Sequence, residues 1–189
     1  NSGSLYIGSG EASTGRSGSV YVTAGTGDSG DGGEIAITAG TSTDTATGGR
    51  MSIVTGFSST STSGALLLRT HDSGTAGVSG HLVLSTGYAT SGNSGALFIG
   101  SGPSTVGRGG SVYVTVGSGT SGSGGEMKLV AGSSSFSTGG RLSVITGVGG
   151  KSTSGALVLQ TSDAGTAGVS GIAILSTGFS STGNSGSLY

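Results

Sequence analysis

A unit of 15 or 16 residues recurs twelve times along the 189-residue chain, and this recurrence limits what the chain can fold into. Each unit opens on Gly and alternates apolar and polar residues. It then reaches a small residue, usually followed by a second Gly, and runs through about seven polar residues. The first copy is Gly3-Ser4-Leu5-Tyr6-Ile7-Gly8-Ser9-Gly10, and the second is Gly18-Ser19-Val20-Tyr21-Val22-Thr23-Ala24-Gly25. Units start at Gly3, Gly18, Gly33, Gly49, Gly64, Gly80, Gly95, Gly110, Gly125, Gly140, Gly155 and Gly171, and a thirteenth runs from Gly186 to Tyr189. Six units form a larger repeat: residues 3–94 match residues 95–185 unit by unit, and Gly-Thr-Ala-Gly-Val-Ser-Gly stands unchanged at 74–80 and 165–171. A repeat of this kind signals a stacked array, because no unit can bury its apolar face alone.

Apolar residues recur at i and i+2, which is the period of a strand and not of a helix. Position 5 of the units is Ile7, Val22, Ile37, Ile53, Leu68, Leu84, Ile99, Val114, Leu129, Val144, Leu159 and Leu175. Position 3 is apolar throughout and weakest at Ala173. Gly inside a helix costs about 1 kcal/mol relative to Ala, and Gly occurs here every few residues. Gly10, Gly25, Gly40, Gly56 and Gly87 close the alternating stretch; Gly15, Gly30, Gly92, Gly107, Gly122 and Gly183 follow as second corners. Gly is the residue that accepts positive φ at such corners.

These features predict an all-β fold without helix: a β-solenoid of 15–16-residue repeats with parallel stacked strands. One unit per rung is the first expectation, and two or three units per rung stay open because six divides by both. Stacking would set Tyr6 beside Tyr21 and Phe98 beside Tyr113. It would also set Glu34 beside Arg50 and Glu126 beside Arg141. The return segment is the difficulty, since it carries few apolar residues to face the inward ladder. An antiparallel meander is the other topology weighed, with loops long for hairpins. The expected domain organisation is a single array over 1–189, made of the two large repeats. Because both ends fall at the same phase of the large repeat, the sequence predicts a slice of a longer repetitive protein.

Composition narrows the function. The chain has 44 Gly, no Cys, 8% charged residues and a net charge of −1. Disordered chains pair low hydrophobicity with high charge, so this patterned, nearly uncharged sequence predicts order. Without a basic field the chain is not expected to bind nucleic acid. It has no apolar run of the roughly 20 residues that a membrane span requires, so membrane insertion is not expected. Zero Cys removes disulfides and Cys-based zinc sites. No Asn-x-Ser/Thr sequon is present, whereas the many Ser and Thr leave O-glycosylation open.

The two large repeats also serve as a mutual control on candidate chemistry. The acidic stretch Asp28-Ser29-Gly30-Asp31-Gly32-Gly33-Glu34 suggests a calcium loop, but its counterpart before Glu126 has no aspartate. His71, Asp72 and His81 suggest a metal or acid–base cluster, but their counterparts are Ser162, Asp163 and Ile172. Asp72 and Asp163 read as turn residues. The Gly-x-Ser stretches lack the strand-to-helix turn of a nucleophile elbow. No catalytic, metal or cofactor-binding residue is assigned, and no enzyme activity is expected.

Outward position 4 holds the remaining candidates. Tyr6, Tyr21, Phe98 and Tyr113, together with the final Tyr189, return every six units and mark a lateral interface. Phe57, Tyr88 and Phe179 follow the corner Gly and are expected to cover an edge.

The Ser-Gly-x-apolar-x-apolar-x-Thr-Gly units and segments such as Ser162-Asp163-Ala164-Gly165-Thr166-Ala167-Gly168-Val169-Ser170-Gly171 resemble long Gly/Ser/Thr-rich repeat proteins of microalgal cell surfaces, as in diatoms and related stramenopiles. Bacterial and phage surface fibres look similar in style. The resemblance implies an extracellular or cell-surface structural protein and supplies no functional residues. The expected function is therefore a non-enzymatic structural protein forming an extracellular filament, appendage or wall rod. Its expected partners are copies of itself or a sister filament protein, with glycans as a further class. The alternatives are an adhesin stalk or carbohydrate-binding surface module and, behind these, an ice-binding solenoid.

Overall fold

The computed structural model describes residues 2–189. Among them there is no helix and no strand: the chain is irregular coil with one bend or turn in the polar stretch of each repeat. It divides into two units, Asn1–Leu97 and Phe98–Tyr189.

In Asn1–Leu97 the bends centre on residues 13–15, 28–30, 43–46, 59–61, 75–77 and 90–92. Each lies in the polar stretch, and each is followed by a close approach between its two flanks. The opening Gly of one unit comes back onto position 7 of the unit before it. A Cβ built on Gly18 would lie 3.1 Å from the Ser9 Cβ, and one on Gly33 would lie 3.0 Å from the Ala24 Cβ. The same approach joins Gly49 to Ala39, Gly64 to Thr55, Gly80 to Thr70 and Gly95 to Thr86. Position 7 is small, Ser, Ala or Thr, because two chain segments must meet there.

Three of these necks carry a main-chain hydrogen bond. The N–H groups of Gly33, Gly49 and Gly64 donate to the carbonyls of Gly25, Gly40 and Gly56 at 3.2, 2.7 and 2.9 Å. At the first neck the Ser9 hydroxyl donates to the Gly18 carbonyl at 2.7 Å.

Phe98–Tyr189 repeats this arrangement loop for loop. The N–H groups of Gly125, Gly140 and Gly155 donate to the carbonyls of Gly117, Gly132 and Gly147 at 3.3, 2.8 and 3.0 Å. The Ser101 hydroxyl donates to the Gly110 carbonyl at 2.7 Å. The six-unit period is thus expressed in how each loop closes. At Gly125 the approach is tightest, since a Cβ there would lie 2.5 Å from Val116 Cγ1. A larger residue at this position would require the Val116 side chain to turn away.

Positive φ is confined to two glycines among the described residues, Gly15 at 103° and Gly92 at 113°. Both are second corners, and both need the left-handed backbone that only Gly takes without strain. Serine shapes other bends. The Ser58 hydroxyl accepts from the N–H of Ser61 at 2.9 Å, and the Ser134 and Ser180 hydroxyls accept from the N–H groups of Ser137 and Gly183 at 3.0 Å each. This side-chain satisfaction of a turn is what Ser supplies in place of a ladder bond.

The necks correct the β-solenoid. In a solenoid with one unit per rung, the first residue of each unit stacks on the first residue of the unit before. Here it returns to position 7, at the other end of the preceding extended stretch. Among the described residues no strand forms at all, so neither one nor several units per rung is present. The pairing of Glu34 with Arg50 and of Glu126 with Arg141 loses its basis, because position 2 no longer faces position 2. The physical cause is the return segment: a ladder of two apolar residues per unit needs an apolar opposing wall, and Gly, Ser and Thr do not provide one.

No described residue is buried. Of the half-buried residues, Ala24, Thr55, Thr70, Ala131 and Thr146 stand at the necks, and Ala89, Gly149 and Ser180 stand in the polar loops.

Candidate functional site

The expected lateral interface is fully open. Tyr6 is 90% exposed and Phe98 is 91% exposed, and Tyr21, Tyr113 and Tyr189 are exposed to a comparable or greater degree. They occupy position 4, so each sits in the middle of an extended stretch and away from the neck. Phe57, Tyr88 and Phe179 stand in the polar loops, equally exposed, and cover no edge.

The residues expected to face inward are also exposed. Leu66 and Leu68 are a little over half exposed, whereas Leu67 between them is 78% exposed. The alternation persists as a difference in degree: position 3 is the more sheltered, position 4 the more open. Val112 and Tyr113 show the same contrast in the second unit. Each stretch therefore presents apolar side chains on both sides of its main chain.

Main-chain hydrogen bonds among the described residues lie at the necks. Among the described residues, the N–H and C=O groups of positions 2 to 6 have no main-chain partner and are open to one from outside. Apolar side chains and unpaired main-chain groups thus share the same stretches.

The other candidates remain scattered. His71 Nδ1 lies 3.4 Å from the Asp72 carbonyl oxygen, and no group of three or more His, Asp or Glu side chains converges among the described residues. Asp28 receives the Ser29 hydroxyl at 3.4 Å, an interaction between neighbours within an exposed loop. The described residues enclose no cavity. Among the described residues no helix is long and apolar enough to cross a membrane.

Sequence reasoning missed the neck. Its signal was present: wherever a unit opens on Gly, position 7 of the unit before is Ser, Ala, Thr or Val, never a large residue. Read as two halves of one contact, these positions would have given the loop closure.

No protein-family model, curated protein or solved structure matches the chain.

Proposed function

We propose that this protein is a non-enzymatic structural protein whose repeated stretches build an extracellular filament, appendage or wall. One observation carries the reading: the apolar alternation of every unit is exposed, and it recurs in the same order in both large repeats. Apolar surface of this extent is unfavourable in water, and extended exposed patches mark surfaces that meet something. A chain that repeats the same apolar stretch at each unit offers contacts along its length and not at one point. That is the arrangement a lattice or fibre uses, with the hydroxyl-rich loops kept in water between contacts. Copies of the chain or a sister filament protein are the partner classes, at the outside of the cell.

Electron microscopy of the concentrated protein tests this reading. Long assemblies with a regular axial repeat are the expected result. Dispersed, compact particles at every concentration would refute it.

A second reading rests on the aromatics. Tyr6, Tyr21, Phe98 and Tyr113 are open enough to stack against sugar rings, as in an adhesin or carbohydrate-binding module. Replacing all four with Ser separates the two. Loss of glycan retention with assemblies intact favours the binding module, and loss of assembly favours the structural role.

A further inference from the structure

We propose that a second copy of this chain covers the apolar stretches, pairing main chain to main chain along positions 2 to 6 while the necked polar loops stay at the margin. The inference rests on the structural reading above and names its partner and its contact.

Area is the first argument. The chain exposes 18974 Å² at a mass of 17.6 kDa. A compact monomer of this mass exposes about 7,900 Å². The difference, about 11,000 Å², is several times the roughly 1,200–2,000 Å² that a stable complex buries. A small ligand or a local epitope would leave most of this surface in water. A partner as long as the chain itself would not.

The main chain is the second argument. Burying Leu66, Leu67 and Leu68 also removes their amides and carbonyls from water, and such groups are costly to bury unpaired. Polysaccharide hydroxyls could satisfy the amides but would not bury the leucines. Another extended polypeptide satisfies both at once, through ladder bonds and through side chains on alternate faces.

Self-matching is the third argument. A copy presents the same order and spacing of stretches and loops along the sequence, so each stretch has a matching stretch in the copy. Small residues at position 7 and Gly at position 1 keep each neck narrow, leaving the stretches between necks accessible. A net charge of −1 puts little repulsion between copies.

The test is sedimentation velocity and amide I infrared spectroscopy of the 189-residue chain over a wide range of concentration. Mass should rise to a dimer or beyond, and an intermolecular strand band should rise with it. The quadruple variant Leu66→Ser, Leu68→Ser, Leu157→Ser, Leu159→Ser should need at least about tenfold more protein to associate. Phe57→Ser with Phe179→Ser, in the loops, should leave association unchanged. The leucines form no core in the single chain, so the quadruple variant has no fold to lose. Association without the strand band, or undiminished in the quadruple variant, would overturn the inference. A chain that stays monomeric yet is incorporated into extracellular fibres of another protein would overturn the second copy and leave the structural reading standing. A chain that stays monomeric and unattached would overturn both.

Discussion

Replacing Gly49 by Ala should open one neck and leave the rest of the chain as it is. A Cβ at this position would lie 3.0 Å from the Gly40 nitrogen and 3.2 Å from its carbonyl oxygen. Those atoms are main chain, so relief requires the two flanks to separate. Moving the flanks apart by a few tenths of an ångström stretches the 2.7 Å bond from the Gly49 N–H to the Gly40 carbonyl. A hydrogen bond of this kind contributes about 1 kcal/mol net, or about a fivefold change in the closed population. Any Gly-to-Ala change also removes freedom from the open chain, which favours order by about 0.4–1 kcal/mol. Gly109→Ala shares that gain and meets nothing, since no atom lies within 4 Å of its Cβ. The difference between the two variants therefore isolates the neck. Amide exchange at residue 49, corrected for its intrinsic rate, is the assay. Protection of about fivefold should be present in the parent and in Gly109→Ala and reduced in Gly49→Ala. Equal protection at residue 49 in all three proteins would refute the steric argument.

Further outcomes follow from the same geometry. Gly15→Ala and Gly92→Ala each force a side chain into the left-handed region and should loosen their bends by about 1–2 kcal/mol, whereas Gly30→Ala and Gly122→Ala should be tolerated; contacts across each loop, read by nuclear magnetic resonance, distinguish the pairs. Trypsin acting on the dilute chain should cut after Arg16, Arg50, Arg69, Arg108, Lys128, Arg141 and Lys151 without a lag. All seven are exposed, and no global opening has to precede cleavage. Mass spectrometry of the digest over time would expose any protected site and so contradict this.

The repeat period and the bend in each polar stretch were legible in the sequence, whereas the strands read from the alternation do not form. Alternation at Leu66 and Leu68 reads as a strand, and of the second-corner glycines Gly15 and Gly92 take positive φ while Gly30, Gly107, Gly122 and Gly183 do not. Alternation and corners do not specify which part of one stretch the next one starts beside. That choice is made at the neck, by the fit of an opening Gly against a small position 7, as at Gly33 against Ala24. The solenoid needed an inner wall that the segment from Gly25 to Gly33 cannot build from Asp, Ser and Gly. The lateral face was legible only in part. Tyr6 and Phe98 are open, but Leu5 and Leu97 on the supposed inner side are exposed as well, so exposure does not single out a lateral face. Periodicity separates two faces of a stretch and does not say that either is covered.

Calorimetry of the dilute, monomeric chain tests most directly the claim at the centre of this account, that a single chain has no core of its own. A folded domain of 189 residues absorbs about 130 kcal/mol in one cooperative transition. The necked, coreless chain should show no such transition on heating while it remains monomeric. A sharp endotherm approaching that size in the monomer would contradict the account, because only cooperative burial of the apolar stretches within one chain could produce it.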